Sequence, residues 1–243
     1  MVDGAIRPRI LLPFPGLMSG WSLAQTTPRP CPAAGITQIQ TCYMAFFEKW
    51  NFTTVPPYLT WVQARDQFFT NNGVTGFKTM CPWMMTRKQC IGQYDPTCAT
   101  GDVWMAALGV PMTDAYDYLS QYGIDNWDCN PSTGYNDTVA NFYCLDNVRQ
   151  YHQSDILACV NSYNTSIQQN GFSCSILGTY IKCVTAVYTK YCNAMGGYVG
   201  CSIAEAGAFE DIGYCASQIP PCVRPNGFLG ISEKIIRKKK IIF

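Results

Sequence analysis

The stretch Cys174-Ser-Ile-Leu-Gly-Thr-Tyr-Ile-Lys-Cys183-Val-Thr-Ala-Val-Tyr-Thr-Lys-Tyr-Cys192 decides the fold. Ile176, Leu177, Tyr180, Val184, Val187, Tyr188 and Tyr191 recur in steps of three and four, the period of an amphipathic helix. Its cysteines stand nine residues apart, and Cys201 continues the series. Nine residues at about 100° each turn a side chain to the opposite helix face, and they separate two Cα atoms by roughly 13 Å along the axis. A disulfide needs Cα atoms within about 7 Å. Cys174, Cys183 and Cys192 are therefore expected not to pair with one another. Each must cross to another element, so this helix is bonded to neighbours on both sides, as a central helix would be.

The rest of the chain extends that reading. The 243 residues contain fourteen cysteines: 31, 42, 81, 90, 98, 129, 144, 159, 174, 183, 192, 201, 215 and 222. No two stand in a C-x-x-C pair, and His152 is the single histidine, so zinc ribbons and thioredoxin-like redox sites have no foothold. An even set without close pairs implies a full framework of intrachain disulfides, and such frameworks belong to oxidising compartments. Apolar residues make up 48 % of the chain and charged residues 14 %, which is too hydrophobic for disorder. The longest apolar run, Ile10–Met18, is broken by Pro13 and Pro15, so no transmembrane segment is expected.

Secretion is the corresponding expectation. Arg7 and Arg9 precede an apolar segment, and Ser22-Leu23-Ala24 places small residues where a signal peptidase reads. Residues 1–24 are assigned as a signal peptide, 25–224 as a cysteine-rich helical extracellular domain, and 225–243 as a basic, disordered tail. Asn51-Phe-Thr53, Asn136-Asp-Thr138 and Asn164-Thr-Ser166 are acceptors for N-glycosylation, while Pro131 disqualifies Asn130. The 25–224 segment holds ten Lys and Arg against fourteen Asp and Glu, a net negative charge that argues against nucleic acid as a partner.

Further helical stripes run through Ile36, Ile39, Tyr43, Phe46, Phe47 and Trp50, and through Leu59, Val62 and Phe69 with Trp61 and Phe68 beside them. Pro82 suits a helix start, Asp102 a cap before Val103, and Gly123 a stop for the helix carrying Ala115, Tyr116 and Leu119. Asp137 and Ser154 are candidate caps for two helices, the second ended by Gly171. Ser202-Ile-Ala-Glu205 reads as a capping box that opens a last helix with Phe209 and Ile212. No segment alternates as a strand does. The expectation is an all-α, disulfide-stapled bundle of about six to eight helices. Gly76-Phe77 before Cys81 and Gly171-Phe172 before Cys174, with Cys81-x8-Cys90 matching Cys174-x8-Cys183, hint at an internal duplication.

The Cys174–Cys192 stretch, the Cys81/Cys90 pair and the aromatic opening Cys42-Tyr-Met-Ala-Phe-Phe together resemble the nematode-restricted family of secreted cysteine-rich proteins known as domain of unknown function 19. The resemblance covers roughly Cys31 to Cys215; the insert from Asn126 to Tyr135 and the extra Cys222 depart from it. It implies a secreted protein and carries no catalytic residue.

Candidate chemistry is sparse. His152 could act as a general base with Asp146 or Asp155, but nothing like G-x-S-x-G accompanies it, and bridged cysteines leave no thiolate. Helical phospholipases would need an adjacent Cys-Cys and a His-Asp pair, and both are missing. Asp114/Asp117, Asp125/Asp128, Glu205 and Glu210 are the carboxylates a glycosidase could use. Asp125-Asn-Trp-Asp128-Cys-Asn130 lacks the glycine and bidentate glutamate of a calcium loop and reads as a polar turn. No catalytic residue, metal or cofactor is assigned. The expected function is non-enzymatic binding of an extracellular protein, a glycan or a small apolar ligand. A secreted hydrolase and a surface-coat component are the alternatives. The segment Lys234–Phe243 could touch an anionic surface.

Overall fold

The computed structural model describes residues 30–225. The signal-peptide assignment and the 226–243 tail lie outside the described residues. Within them the chain is all-helical and strand-free: α1 (Ala33–Glu48), α2 (Tyr58–Ile91), the single turn α3 (Asp95–Cys98), α4 (Gly101–Leu108), α5 (Met112–Asp128), α6 (Tyr135–Tyr151), α7 (Gln153–Asn170), α8 (Cys174–Tyr191) and α9 (Ala194–Ile212). Eight of these have two turns or more, the upper end of the expected number.

All fourteen cysteines are bridged, and none is free. Cys174 crosses to Cys215 just beyond α9, Cys183 to Cys159 on α7, and Cys192 to Cys144 on α6, as the nine-residue spacing requires. The remaining bridges are Cys31–Cys98, Cys42–Cys90, Cys81–Cys129 and Cys201–Cys222.

The connectivity repeats. Of the six cysteines from 31 to 129, the first pairs with the fifth, the second with the fourth and the third with the sixth. Cys144, Cys159, Cys174, Cys183, Cys192 and Cys215 pair in the same order. Six cysteines allow 15 connectivities, and the four later bridges offer four such sets when one is left aside, so chance alone would produce a match at most about four times in fifteen. Each set staples its own core. Ile39, Tyr43, Phe47, Trp61, Met84, Trp104 and Tyr118 belong to the first, and Val148, Ile156, Val160, Leu177, Ile181 and Val184 to the second. The pattern makes α5 and α9 equivalent, and these two helices pack against each other, with α8 also packed on α9. The centre of the molecule is therefore α9 rather than α8.

Glycine makes the α5–α9 crossing close. A Cβ on Gly123 would lie 2.3 Å from the Ala206 carbonyl oxygen, and one on Gly207 would lie 2.7 Å from Ser120 Oγ. Gly123 thus sits inside α5 as a contact residue and does not end it. Four expected starts are also displaced. Pro82 lies inside α2, which is broken instead at Gly73, where φ is +54°. The helix α7 starts one residue before Ser154, at Gln153; α4 starts at Gly101 and α6 at Tyr135, leaving Asp102 and Asp137 in their first turns rather than at their caps. The Ser202/Glu205 box does not form. Asn193 Oδ1 caps α9 two turns earlier, accepting from Met195 N and Gly196 N, so Ser202 is mid-helix. Leu59, placed on the core stripe by its period, is 51 % exposed; Tyr58, Trp61 and Val62 face inward instead.

Candidate functional site

The chain buries more charge than an apolar bundle needs. Arg65, Asp66, Arg87, Asp117 and Asp125 are all buried, on α2 and α5. An isolated buried charge is strongly unfavourable, so each requires a partner or a purpose. Two of them, Arg65 and Asp125, line one half-enclosed cavity of about 190 Å³ between the two bridged units. Phe69, Phe77, Met80 and Met84 from α2, Phe142 from α6 and Ile156 from α7 supply its apolar lining. The polar lining comes from Arg65, Ser120, Gln121, Asp125, Asp128, Asp146 and Arg149.

Two guanidiniums are well held. Arg87 Nη2 donates to Asp125 Oδ2 at 2.9 Å, and its guanidinium carbon lies 4.5–5.1 Å from the ring centres of Phe46, Tyr43 and Tyr122. Gln121 Nε2 donates to Asp125 Oδ1 at 2.7 Å, and Gln121 Oε1 accepts from Tyr58 Oη at 3.3 Å. Arg149 donates to both Asp66 and Asp146. Arg65 is different. Its Nε, like that of Arg87, has no hydrogen-bond partner among the described residues, but here no other nitrogen of the group makes a hydrogen bond to them; Asp66 stands 3.8 Å away, and the group rests on the Trp61 ring at 5.1 Å.

Asp128 lies one helical turn beyond Asp125 and accepts from Thr138 Oγ1 at 2.6 Å. Burial pushes its carboxyl up to about 7; Asp125 adds to the rise, while the Thr138 hydrogen bond and Arg65 oppose it. Burial also raises Asp125, against the pull of Arg87 and Gln121. The segment 125–128 is the last turn of α5, not the polar turn expected from its composition. The buried Arg87–Asp125 pair fixes it there.

The other sequence candidates scatter. Asp114 accepts from Tyr58 N at 3.0 Å, and Glu205 accepts from Cys222 N at 3.2 Å. Burial raises Glu210 to about 7, with Asp95 adding to it, and Glu210 does not line the cavity. His152 stacks on Tyr191, with ring centres 3.6 Å apart, at the junction of α6 and α7. Asp155 accepts from Tyr191 Oη at 2.8 Å and Lys190 Nζ at 3.1 Å. No free thiol exists among the described residues to serve as a nucleophile beside His152. Cys201, Glu205 and Cys222 converge within metal-ligand distances, but the two sulfurs are bonded to each other, so no thiolate is offered. Of the sequons, Asn51 and Asn136 are exposed and Asn164 is half-buried.

No family model, curated protein or solved structure matches this chain. The site is therefore read from its own chemistry. Arg65, Arg87, Arg149 and Thr138 were not foreseen. One signal was available: Arg65 and Asp66 interrupt the inward stripe Trp61, Val62, Phe69, and a charge in a core stripe marks a buried polar site.

Proposed function

We propose that the protein is a secreted, non-enzymatic carrier or receptor that takes a small, largely apolar ligand into the cavity between its two bridged units. The observation that carries this reading is the cavity itself. Ligand sites favour interfaces between structural units, with apolar walls and a few polar groups. Bridges on both sides hold those walls in place, which lowers the ordering cost of binding. Secretion rests on the seven bridges, on the N-terminal segment and on the sequons. No helix among the described residues is long and apolar enough to cross a membrane. Membership of the nematode secreted cysteine-rich family remains a reading of the cysteine spacing. Native mass spectrometry of protein secreted from eukaryotic cells tests the proposal. A retained or exchangeable small molecule is expected, and a bulky substitution such as Met80→Trp should abolish its retention. Retention unaffected by filling the cavity would contradict it.

A hydrolase is the second reading, because Asp125 and Asp128 line the same cavity and Asp128 is held near neutrality, as a general acid would be. It requires Asp125 to act as base or nucleophile while bound to Arg87. Turnover of aryl glycosides or esters that disappears in Asp128→Asn would favour it over the binding reading.

A further inference from the structure

The cavity contains a cation whose hydrogen-bond donors are unmet, held only by a long ion pair with Asp66 and by the Trp61 ring. Arg65 is 8 % exposed, lines the cavity, and makes no hydrogen bond among the described residues; its nearest carboxylate oxygen is 3.8 Å away. A guanidinium carries five donors in a planar fork, and leaving them unmet inside a protein is costly. Ser120 Oγ, on the same lining and also buried, has no partner either.

Charge counting then selects the ligand. On the lining, two guanidiniums (Arg65 and Arg149) stand with two carboxylates (Asp125 and Asp146), and the ion-pair partners behind them, Arg87 on Asp125 and Asp66 on Arg149, add one charge of each sign. The fourth carboxyl, Asp128, is turned toward its neutral form by burial, with Arg65 on α2, Asp125 on α5, Thr138 on α6 and Tyr188 on α8 as the charged or polar groups around it. The lining is therefore balanced without a ligand, and a charged ligand would bury an uncompensated charge. Size narrows the class further. A dry cavity of about 150 Å³ holds benzene, so 190 Å³ suits a ligand of on the order of ten non-hydrogen atoms.

We propose that the cavity binds a small uncharged amphipath, such as an alcohol or ketone on a compact hydrocarbon body, with its oxygen accepting from the Arg65 guanidinium. This rests on the binding reading above. Titration calorimetry of the full chain tests it with four matched compounds: butylbenzene, phenylbutanol, phenylbutyrate and phenylbutylamine. The pH is kept mildly acidic, below the Asp128 value of about 7. Phenylbutanol is expected to bind about tenfold or more tighter than the other three, the scale of one hydrogen bond to a charged donor. Arg65→Met should remove that preference, so that phenylbutanol binds that variant no tighter than butylbenzene does. In the unaltered protein, the carbonyl stretch of bound phenylbutanone should move to lower frequency. Equal binding of the hydrocarbon, tighter binding of an ionic compound, or an unshifted carbonyl overturns the Arg65 assignment while the cavity reading stands. Binding of none of the four overturns both.

Discussion

Asp128 shows how one residue couples the cavity to stability. Its folded value of about 7 stands above the roughly 3.9 of an unfolded aspartate. A group raised on folding contributes its full stability below the unfolded value and loses it as pH climbs through the folded one. Glu210, held near 7, and Asp211, held near 6, both chiefly by burial, act in the same direction. The protein should therefore lose stability between about pH 4 and 8. Asp128→Asn keeps an acceptor for Thr138 and removes the titration. Its melting temperature should match the parent near pH 4 and exceed it near pH 8 by a few degrees, roughly the effect of 1 kcal/mol in a chain of this size. An offset equal at both pH values would contradict the assignment. Arg87 tests the buried pair. Arg87→Met strands Asp125 and should cost about 3–5 kcal/mol, whereas the double variant Arg87→Met/Asp125→Leu should recover most of that. Chemical denaturation of the three proteins measures the difference. The cysteines were legible residue by residue, because their chemistry leaves them few alternatives. The polar site was legible only in part: Asp125, Asp128 and Asp146 stand out as carboxylates and Arg65 as a charge in a core stripe, but Arg87 looks like an ordinary surface cation until α5 is laid across α2.

Among the elements, period and breakers predicted existence well and boundaries poorly. The helices of Ile39–Phe47, Ile156–Ile167 and Ile176–Tyr191 follow their apolar stripes. The failures share a cause, which is that tertiary contact overrode a local signal. Gly123 reads as a stop because glycine is a poor helix residue, yet α9 presses so close that only glycine fits inside α5. The Ser202/Glu205 motif is a fair local cap, but Asn193 starts α9 two turns earlier and Glu205 is drawn to Cys222 N instead. Two alanine substitutions should separate packing from propensity. Gly123→Ala gains about 1 kcal/mol of helix propensity and meets a backbone carbonyl that cannot move aside, so it should destabilise by about 1–3 kcal/mol net. Gly213→Ala meets nothing within 4 Å, at φ −54°, and should stabilise slightly. Urea midpoints of the same sign for both would show that the α5–α9 approach is not the constraint.

The whole molecule is two bridged units joined along α5 and α9 with a cavity between them. The all-α class and the complete oxidation of the cysteines followed from spacing and count. The repeated connectivity did not, because Gly-Phe before Cys81 and before Cys174 was a faint trace, and pairing depends on which helices meet. Three of the bridges, Cys42–Cys90, Cys81–Cys129 and Cys144–Cys192, each span 48 residues. A loop of that size constrains the unfolded chain by about 4 kcal/mol. Removing Cys42 and Cys90 together should accordingly cost about 2–5 kcal/mol, read as a drop in melting temperature.

The two-unit architecture is tested most directly by mass-spectrometric mapping of the unreduced protein, digested under acidic conditions that prevent exchange. The expected map has no alkylatable thiol and contains the first-to-fifth, second-to-fourth and third-to-sixth pattern twice, with Cys201–Cys222 added to the second unit. A Cys174–Cys183 bridge, a bridge joining one unit's set to the other's, or several free thiols would contradict it.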